Sequence, residues 1–173
     1  MKSVLISIKP KYCELIANGK KTIEVRKTSP KIETPFKCYI YQTKAKQVEH
    51  CDGCDITYYG CGKVIGEFIC DRIEIFEKSE LGIKSKDFFA LAESCVKVKE
   101  MLEYIGENKI AYGLHISDLK IYDKPKELGE FCIPCKTNCE DCKKPLFYDC
   151  WDKVERSMIN PQYANRFIRE FIL

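Results

Sequence analysis

The spacing of apolar and polar side chains predicts a chain built mostly of strands, with helices between them. Residues 3–9 are apolar on both faces, as in a mostly buried strand. Pro10 then opens a short helix that Gly19 closes. Within residues 21–27, Ile23 and Val25 alternate with Thr22, Glu24 and Arg26, and residues 36–42 carry three aromatic rings. Both patterns favour strands.

The rest of the chain continues this mixture at greater length. The predicted elements are a strand at residues 63–76 that bends near residue 71, an amphipathic helix at 86–105 and one or two strands at 110–123. Residues 43–62 break the pattern with Gly and Cys, and we expect an irregular loop there. Asn160 as a cap and Pro161 in the first turn predict a C-terminal helix with an aromatic stripe.

This order of elements predicts the α+β class and one domain with an appendage. Residues 1–130 would form a small mixed β-barrel with flanking helices, in which residues 43–62 are an insertion loop. Residues 131–173 would be a cysteine-rich segment and a helix packed on the barrel. The start of the chain has no cleavage site of the secretory type, which favours the cytoplasm, and no apolar run predicts a membrane span.

The charge of the chain is unevenly distributed. Residues 1–46 hold eleven Lys or Arg against three acids, a net +8 that leaves −5 for the remainder. A basic face of this kind suits an acidic partner, with nucleic acid the first candidate. The alternative is a solvated face that only keeps the protein soluble.

A short motif joins the first helix to the second strand, and it reads Gly19-Lys20-Lys21-Thr22-Ile23-Glu24-Val25-Arg26. Gly19 supplies the left-handed turn, and Glu24 and Arg26 project from one strand face. A carboxylate can accept from the exocyclic amine of a base, while Lys21 or Arg26 can bind a phosphate or a carbonyl. The alternative is a Glu24–Arg26 ion pair that only satisfies the rim of a barrel.

This motif resembles the G-x-K-x-x-E-x-R signature of the ASCH domain family in the PUA-like superfamily. Residues 63–68 and 115–120 resemble later strands of that family, so the resemblance covers roughly residues 2–130. It implies RNA or modified-nucleotide binding in a groove. The groove residues that we predict from it are Lys20, Lys21, Glu24, Arg26, Tyr39 and Tyr41, with the two tyrosines either stacking on bases or lying in the core.

Two further functions stay open. Some ASCH-type proteins are amidohydrolases that act on N4-acetylcytidine with a Lys, a Thr three residues later and a distant Glu. Here Lys21 fits, but Glu24 stands at the Thr position, so Glu24 and Glu67 become the alternative pair of candidate catalytic residues. Whether the chain is an enzyme is left open, with binding preferred. A protein-interaction adaptor is the third possibility, and its docking surface would be the aromatic C-terminal helix.

The twelve cysteines include clusters with the spacing of metal ligands. Cys132, Cys135, Cys139 and Cys142 form two C-x-x-C pairs, which predict a structural zinc site with four thiolates. Because the gap between these pairs is short, Cys51 and Cys54 are alternative ligands, and His50, Cys61 and Cys150 are spare candidates. Cys13, Cys38, Cys70 and Cys95 fit inert core positions better. His115, in an apolar strand, is expected in the core.

Overall fold

The computed structural model describes residues 3–134, 151–153, 166–167 and 169–170, and these residues adopt a mixed α+β fold dominated by strands. The helices are α1 Pro10–Ala17, α2 Ala90–Glu93, α3 Val98–Ile105 and a 3-10 helix at Leu128–Glu130. The strands of the first half are β1 Ser3–Ile8, β2 Ile23–Arg26, β3 Phe36–Gln42, β4 Lys46–Cys51, β5 Cys54–Tyr59, β6 Val64–Cys70 and β7 Ile73–Ser79. The later strands are β8 Gly82–Lys84, β9 Ile110–His115, β10 Ser117–Lys126, β11 Phe131–Pro134, β12 Trp151–Lys153, β13 Arg166–Phe167 and β14 Arg169–Glu170.

Two sheets position the motif. The larger has the order β10-β6-β3-β1-β13, and its β1 and β3 run parallel. The smaller has the order β2-β9-β7-β8 and carries the motif strand β2. The remaining strands form a three-stranded sheet, β12-β11-β14, and the β4-β5 hairpin. Within the described residues these are four separate sheets, and the closed barrel that we expected from the sequence is not seen.

The five-stranded sheet has a buried cluster on each face. Alternate residues of β3 mark the two sides: Cys38 and Ile40 lie in the core that includes α1 and Leu114 of β9. We call this side the inner face. Tyr39 and Tyr41 lie on the opposite side, with Leu128 and Phe131, and we call that side the outer face. A third cluster packs β2, β7 and β9 against α2 and α3.

Two local predictions are confirmed and a third is wrong. Gly19 ends α1 with φ +69°, the left-handed conformation that the turn into β2 requires. The single strand predicted at residues 63–76, with a bend near residue 71, is instead two strands, because Asp71 and Arg72 separate β6 from β7 and the two belong to different sheets. The stretch at 110–123 is two strands, and the second runs on to Lys126.

Three further local predictions are wrong. Residues 43–62 are not an irregular loop, because β4 and β5 pair across a tight turn in which Gly53 has φ +98°. The helix expected at 86–105 is broken into α2 and α3 by Cys95, whose φ of +53° is left-handed. The C-terminal helix expected from Asn160 onward does not extend through Phe167, since β13 and β14 are extended and pair with β1 and β11.

Candidate functional site

Three of the four charged side chains of the motif meet in the interior, and we call them the buried ion cluster: Lys21, Glu24 and Arg26. Lys21 Nζ lies 3.4 Å from Glu24 Oε2, and Arg26 Nη1 lies 3.7 Å from Glu24 Oε1. Only 1% of the Lys21 side chain and 7% of the Glu24 side chain are exposed. Glu24 pairs in register with Leu114, so it projects toward the inner face of the large sheet.

Both cations of the cluster are anchored to backbone carbonyls of other elements. Lys21 Nζ donates to the carbonyl of Ser94 at 2.5 Å, which ties the motif to the end of α2. Arg26 Nη1 donates to the carbonyl of Ser7 at 2.9 Å, which ties β2 to β1 across the two sheets. These bonds compensate part of the cost of withdrawing the two cations from water. Lys21 and Arg26 therefore each join the motif to another element of the fold.

The Glu24 carboxylate is held less closely than the cations are. A charge-assisted N–H···O bond is typically about 2.7–2.9 Å long, and both of the ion-pair distances to Glu24 are longer than this. An ionised carboxylate offers about four lone-pair directions. Glu24 thus keeps capacity to accept a hydrogen bond from a ligand, in a site where little water competes.

Two aromatic residues border the cluster, and neither was predicted as a site residue. Tyr12 of α1 donates its hydroxyl to the carboxylate of Glu100 on α3, and the Lys21 Nζ lies 4.9 Å from the Tyr12 ring centroid. Burial, followed by the bond to Glu100, raises the pKa of Tyr12 above its usual range. The Tyr12–Glu100 bond therefore closes α1 and α3 over one side of the cluster.

Tyr104 stands one helical turn beyond Glu100 on α3. Burial raises the pKa of Tyr104, and the charges of Arg26 and Glu24 both act on its hydroxyl. The residue is still 37% exposed, and Lys27 Nζ lies 5.1 Å from the centroid of its ring. Tyr104 is thus a partly exposed aromatic residue beside Lys27, the residue that follows the motif.

The β4-β5 hairpin packs against α1, which carries Tyr12. Lys11 donates its backbone N–H to Gln47 and its ammonium to Glu49, at 3.1 and 2.8 Å. The ammonium bond, although burial opposes it, lowers the pKa of Glu49. These two bonds hold the hairpin against α1 at the residue that precedes Tyr12.

Other predicted residues lie elsewhere in the fold. Tyr39 and Tyr41 are 5% and 4% exposed on the outer face, where Tyr39 packs edge-on against Phe131 at 5.1 Å, so they are core tyrosines. Glu67 pairs in register with Tyr39, which places its side chain on the same outer face. The structure thus sets Glu24 and Glu67 on opposite sides of the large sheet and does not bring them together.

Lys20 and Thr22 are both exposed at the mouth of the motif strand. The backbone of Thr22 is bound on both sides, since its N–H donates to Glu93 and its carbonyl accepts from Ile116. The neighbouring Lys21 ammonium turns inward to Ser94. Lys20 is therefore available to a ligand from solvent, whereas Lys21 does not act on the Thr22 hydroxyl in this arrangement.

The predicted metal ligands fall largely outside the part of the chain that is described. Cys135, Cys139, Cys142 and Cys150 lie there, and of Cys132 and Cys51 only the backbone in β11 and β4 is given. Cys54 is a free, exposed thiol. Among the described residues, no group of three or more His, Cys, Asp or Glu could hold a metal ion.

His115 is a core residue, as expected, but its ring is incompletely bonded. It is 7% exposed, and its Nε2 has no hydrogen-bond partner among the described residues. Burial, followed by the charge of Arg72, lowers the pKa of His115. A neutral imidazole therefore suits this position.

Comparisons with known proteins agree with the motif. Residues 6–167 match the ASCH domain. The crystal structure of ASCH from Zymomonas mobilis has a TM-score of 0.53 at 20% identity, covering 73% of this chain and 74% of that chain. A tyrosine-to-phenylalanine mutant of that protein matches with a TM-score of 0.54, 19% identity and coverages of 74% and 77%. No match is found among curated proteins. No helix of the described residues is long and apolar enough to cross a bilayer. The family match spans most of the sequence, and the chain belongs to the ASCH domain family.

Proposed function

We propose that this chain binds RNA and receives one unstacked nucleobase beside Glu24. The ASCH domain family is associated with RNA binding and RNA metabolism. The observation that carries the proposal is the state of the Glu24 carboxylate, which is buried between two anchored cations and keeps acceptor capacity. Proteins that read RNA by sequence mostly do so on unstacked bases, through hydrogen bonds to their edges.

The cluster suits the edge of a base better than a phosphate. Lys21 and Arg26 each donate to a backbone carbonyl, of Ser94 and of Ser7, and both also lie against the Glu24 carboxylate, so their charges are already partly compensated within the protein. A buried carboxylate between them would repel a phosphate and attract an N–H donor. The exocyclic amines of cytosine, adenine and guanine are donors of this kind.

The surroundings of Glu24 supply the other two parts of an RNA site. Tyr104 offers a partly exposed ring on which a base can stack. Lys20, which precedes β2 in the sequence, and Lys27, which follows it, are both exposed and can contact phosphates. They belong to the segment of residues 1–46 that carries a net +8.

The test compares Glu24→Gln with the matched change Glu67→Gln on the opposite face of the sheet. Binding of purified protein to labelled cellular RNA is measured at two salt concentrations. We expect salt-sensitive binding that Glu24→Gln weakens roughly tenfold to a hundredfold, the value of a hydrogen bond to a charged group. Glu67→Gln should retain wild-type affinity. Wild-type protein without RNA affinity, or equal effects of the two changes, would overturn the proposal.

A structural zinc ion is a separate proposal that rests on the sequence alone. The two C-x-x-C pairs of Cys132, Cys135, Cys139 and Cys142 have the spacing of thiolate ligands, with Cys51 and Cys54 as the alternative pair. Metal analysis of the purified protein should find about one zinc per chain, since four thiolates complete one tetrahedral site. Cys135→Ser should lower that content, and Cys54→Ser distinguishes the two ligand sets.

A further inference from the structure

The carboxylate that carries the proposed function is closed off from solvent in this structure. The side chains of Lys21 and Glu24 are 1% and 7% exposed, and that of Arg26 is 11% exposed. A base edge bonds to a carboxylate only at a donor–acceptor distance of about 2.7–3.2 Å. A contact that covers the buried ion cluster therefore has to open before Glu24 can bind a base.

The side chain of Tyr12 makes such a contact, because it joins α1 to α3 and touches the cluster. Its hydroxyl donates to the carboxylate of Glu100 on α3. The Lys21 Nζ lies 4.9 Å from the centroid of its ring, and the charge of Glu24 also acts on its hydroxyl. One aromatic side chain thus covers the Lys21 ammonium and is itself held by a hydrogen bond to another helix.

Rotation of the Tyr12 side chain disturbs the fold less than movement of either helix would. Cys13 and Ile16 of α1 are buried in the inner-face core, and Met101 and Ile105 of α3 are buried in the third cluster. Moving a helix would expose these apolar side chains to water. Tyr12 itself is only partly buried, and a change of its rotamer breaks one hydrogen bond and one contact between a cation and a ring.

We propose that Tyr12 is the gate of the base site: its ring turns away from Lys21 and Glu100 to admit a nucleobase to Glu24. This rests on the proposed function and deepens it, because it states what controls access to the carboxylate. The bond to Glu100 favours the closed arrangement, so the open one is a minor population of the free protein. The apparent affinity for a base is reduced by that fraction.

The first measurement follows access to the cluster without RNA, as the rate at which an amine-reactive reagent acylates Lys21 in the full chain. Mass spectrometry separates Lys21 from Lys20, which is exposed and serves as the internal control. Tyr12→Phe keeps the ring and removes the donor, whereas Glu100→Ala removes the acceptor. Either change should raise the Lys21 rate roughly tenfold to a hundredfold, the value of a hydrogen bond to a charged group. The Lys20 rate should not change.

The second measurement is the association rate of a labelled single-stranded RNA with the same variants, by stopped-flow fluorescence. Tyr12→Phe should speed association by a similar factor, because the rate rises with the open fraction. Tyr58→Phe is the matched control. Tyr58 also donates to a carboxylate, that of Glu49 at 3.4 Å, but this bond lies within the β4-β5 hairpin and does not join α1 to α3. Tyr58→Phe should change neither rate.

The gate is overturned if Tyr12→Phe leaves the acylation of Lys21 unchanged, or if Tyr58→Phe raises it equally. It is also overturned if acylation rises and RNA still associates at the wild-type rate. If Glu24→Gln weakens RNA binding in any of these cases, the base site stands without the gate. If Tyr12→Phe raises the acylation of Lys21 and no variant binds RNA, the result supports Tyr12 as the gate to the cluster and overturns RNA as its ligand.

Discussion

Glu67 and Glu24 are carboxylates that lie on opposite sides of the large sheet. Each has two side-chain donors nearby, but the two differ in the lengths of these contacts and in burial. Glu67, on the outer face, receives hydrogen bonds from Lys37 at 2.9 Å and from Tyr122 at 2.7 Å, and its side chain is 19% exposed. Glu24, on the inner face, has two cations at 3.4 and 3.7 Å and is 7% exposed. Glu67 is closely hydrogen-bonded and partly exposed to solvent, whereas Glu24 is loosely paired and almost fully buried.

The difference teaches how to separate a structural ion pair from a candidate site. Burial opposes ionisation of Glu67, yet the bonds from Tyr122 and Lys37 lower its pKa. This is expected for a carboxylate whose hydrogen-bonding capacity is met by donors within the protein. Around Glu24 the cations bond to backbone carbonyls instead. A carboxylate that the fold buries without close bonding has acceptor capacity that a ligand can use.

The largest expected effect comes from removing one cation on each face. Lys21→Met should lower the free energy of unfolding by about 3–5 kcal/mol, because it removes the nearer cation from the buried Glu24 carboxylate and leaves the Ser94 carbonyl without its donor. Lys37→Met should cost only about 1 kcal/mol or less, since that pair is partly exposed. Urea unfolding measures both. Similar losses for the two variants would remove the energetic distinction between the faces.

A smaller effect is expected from removing one aromatic ring on each face. Tyr104→Ala should weaken RNA binding roughly tenfold, the usual effect of losing one stacking partner. Tyr122→Ala, on the outer face, should leave the affinity unchanged. Tyr104→Phe should retain binding, because the ring is kept. If Tyr122→Ala weakens binding as much as Tyr104→Ala does, the RNA does not select the side of the large sheet on which Glu24 lies.

The smallest effect is a pH dependence that belongs to Glu67. Its pKa is lowered in the folded protein from an ordinary value of 4.5, so the folded state favours the ionised form. The unfolded chain then binds more protons as the pH falls through 4.5, and the stabilisation is lost below that value. Wild type should therefore exceed Glu67→Gln in unfolding free energy, by about 1 kcal/mol or less, at pH 7. The two should converge toward pH 3, and a constant difference would contradict this.

The sequence predicted the parts of the site that depend on neighbours along the chain. The alternation of residues 21–27 correctly placed Glu24 and Arg26 on one face, and Gly19 correctly marked the left-handed turn. The hairpin had a local signal too, because Asp52-Gly53 is a favoured two-residue turn. Its surrounding Gly and Cys residues were interpreted as a loop instead.

The remaining features depend on contacts between distant parts of the chain. Tyr12 and Glu100 are 88 residues apart and nothing near either residue indicates the other. Cys95 breaks a helix whose apolar periodicity is otherwise good, and its thiol bonds to Lys20. The tail has strong helix-start signals, yet residues 166–167 pair with β1, because tertiary pairing outweighs a local preference.

The pairing of β13 with β1 affects the order in which the chain can fold during synthesis. Val4 and Leu5 face Phe167 and Arg166, while the other side of β1 is covered by β3. A nascent chain that has reached residue 130 can therefore complete only one side of its first strand. The open edge is a template for pairing with another chain until the last strands emerge. The edge of β1 that Arg166 and Phe167 cover is therefore open for as long as the chain between residues 130 and 167 is being made.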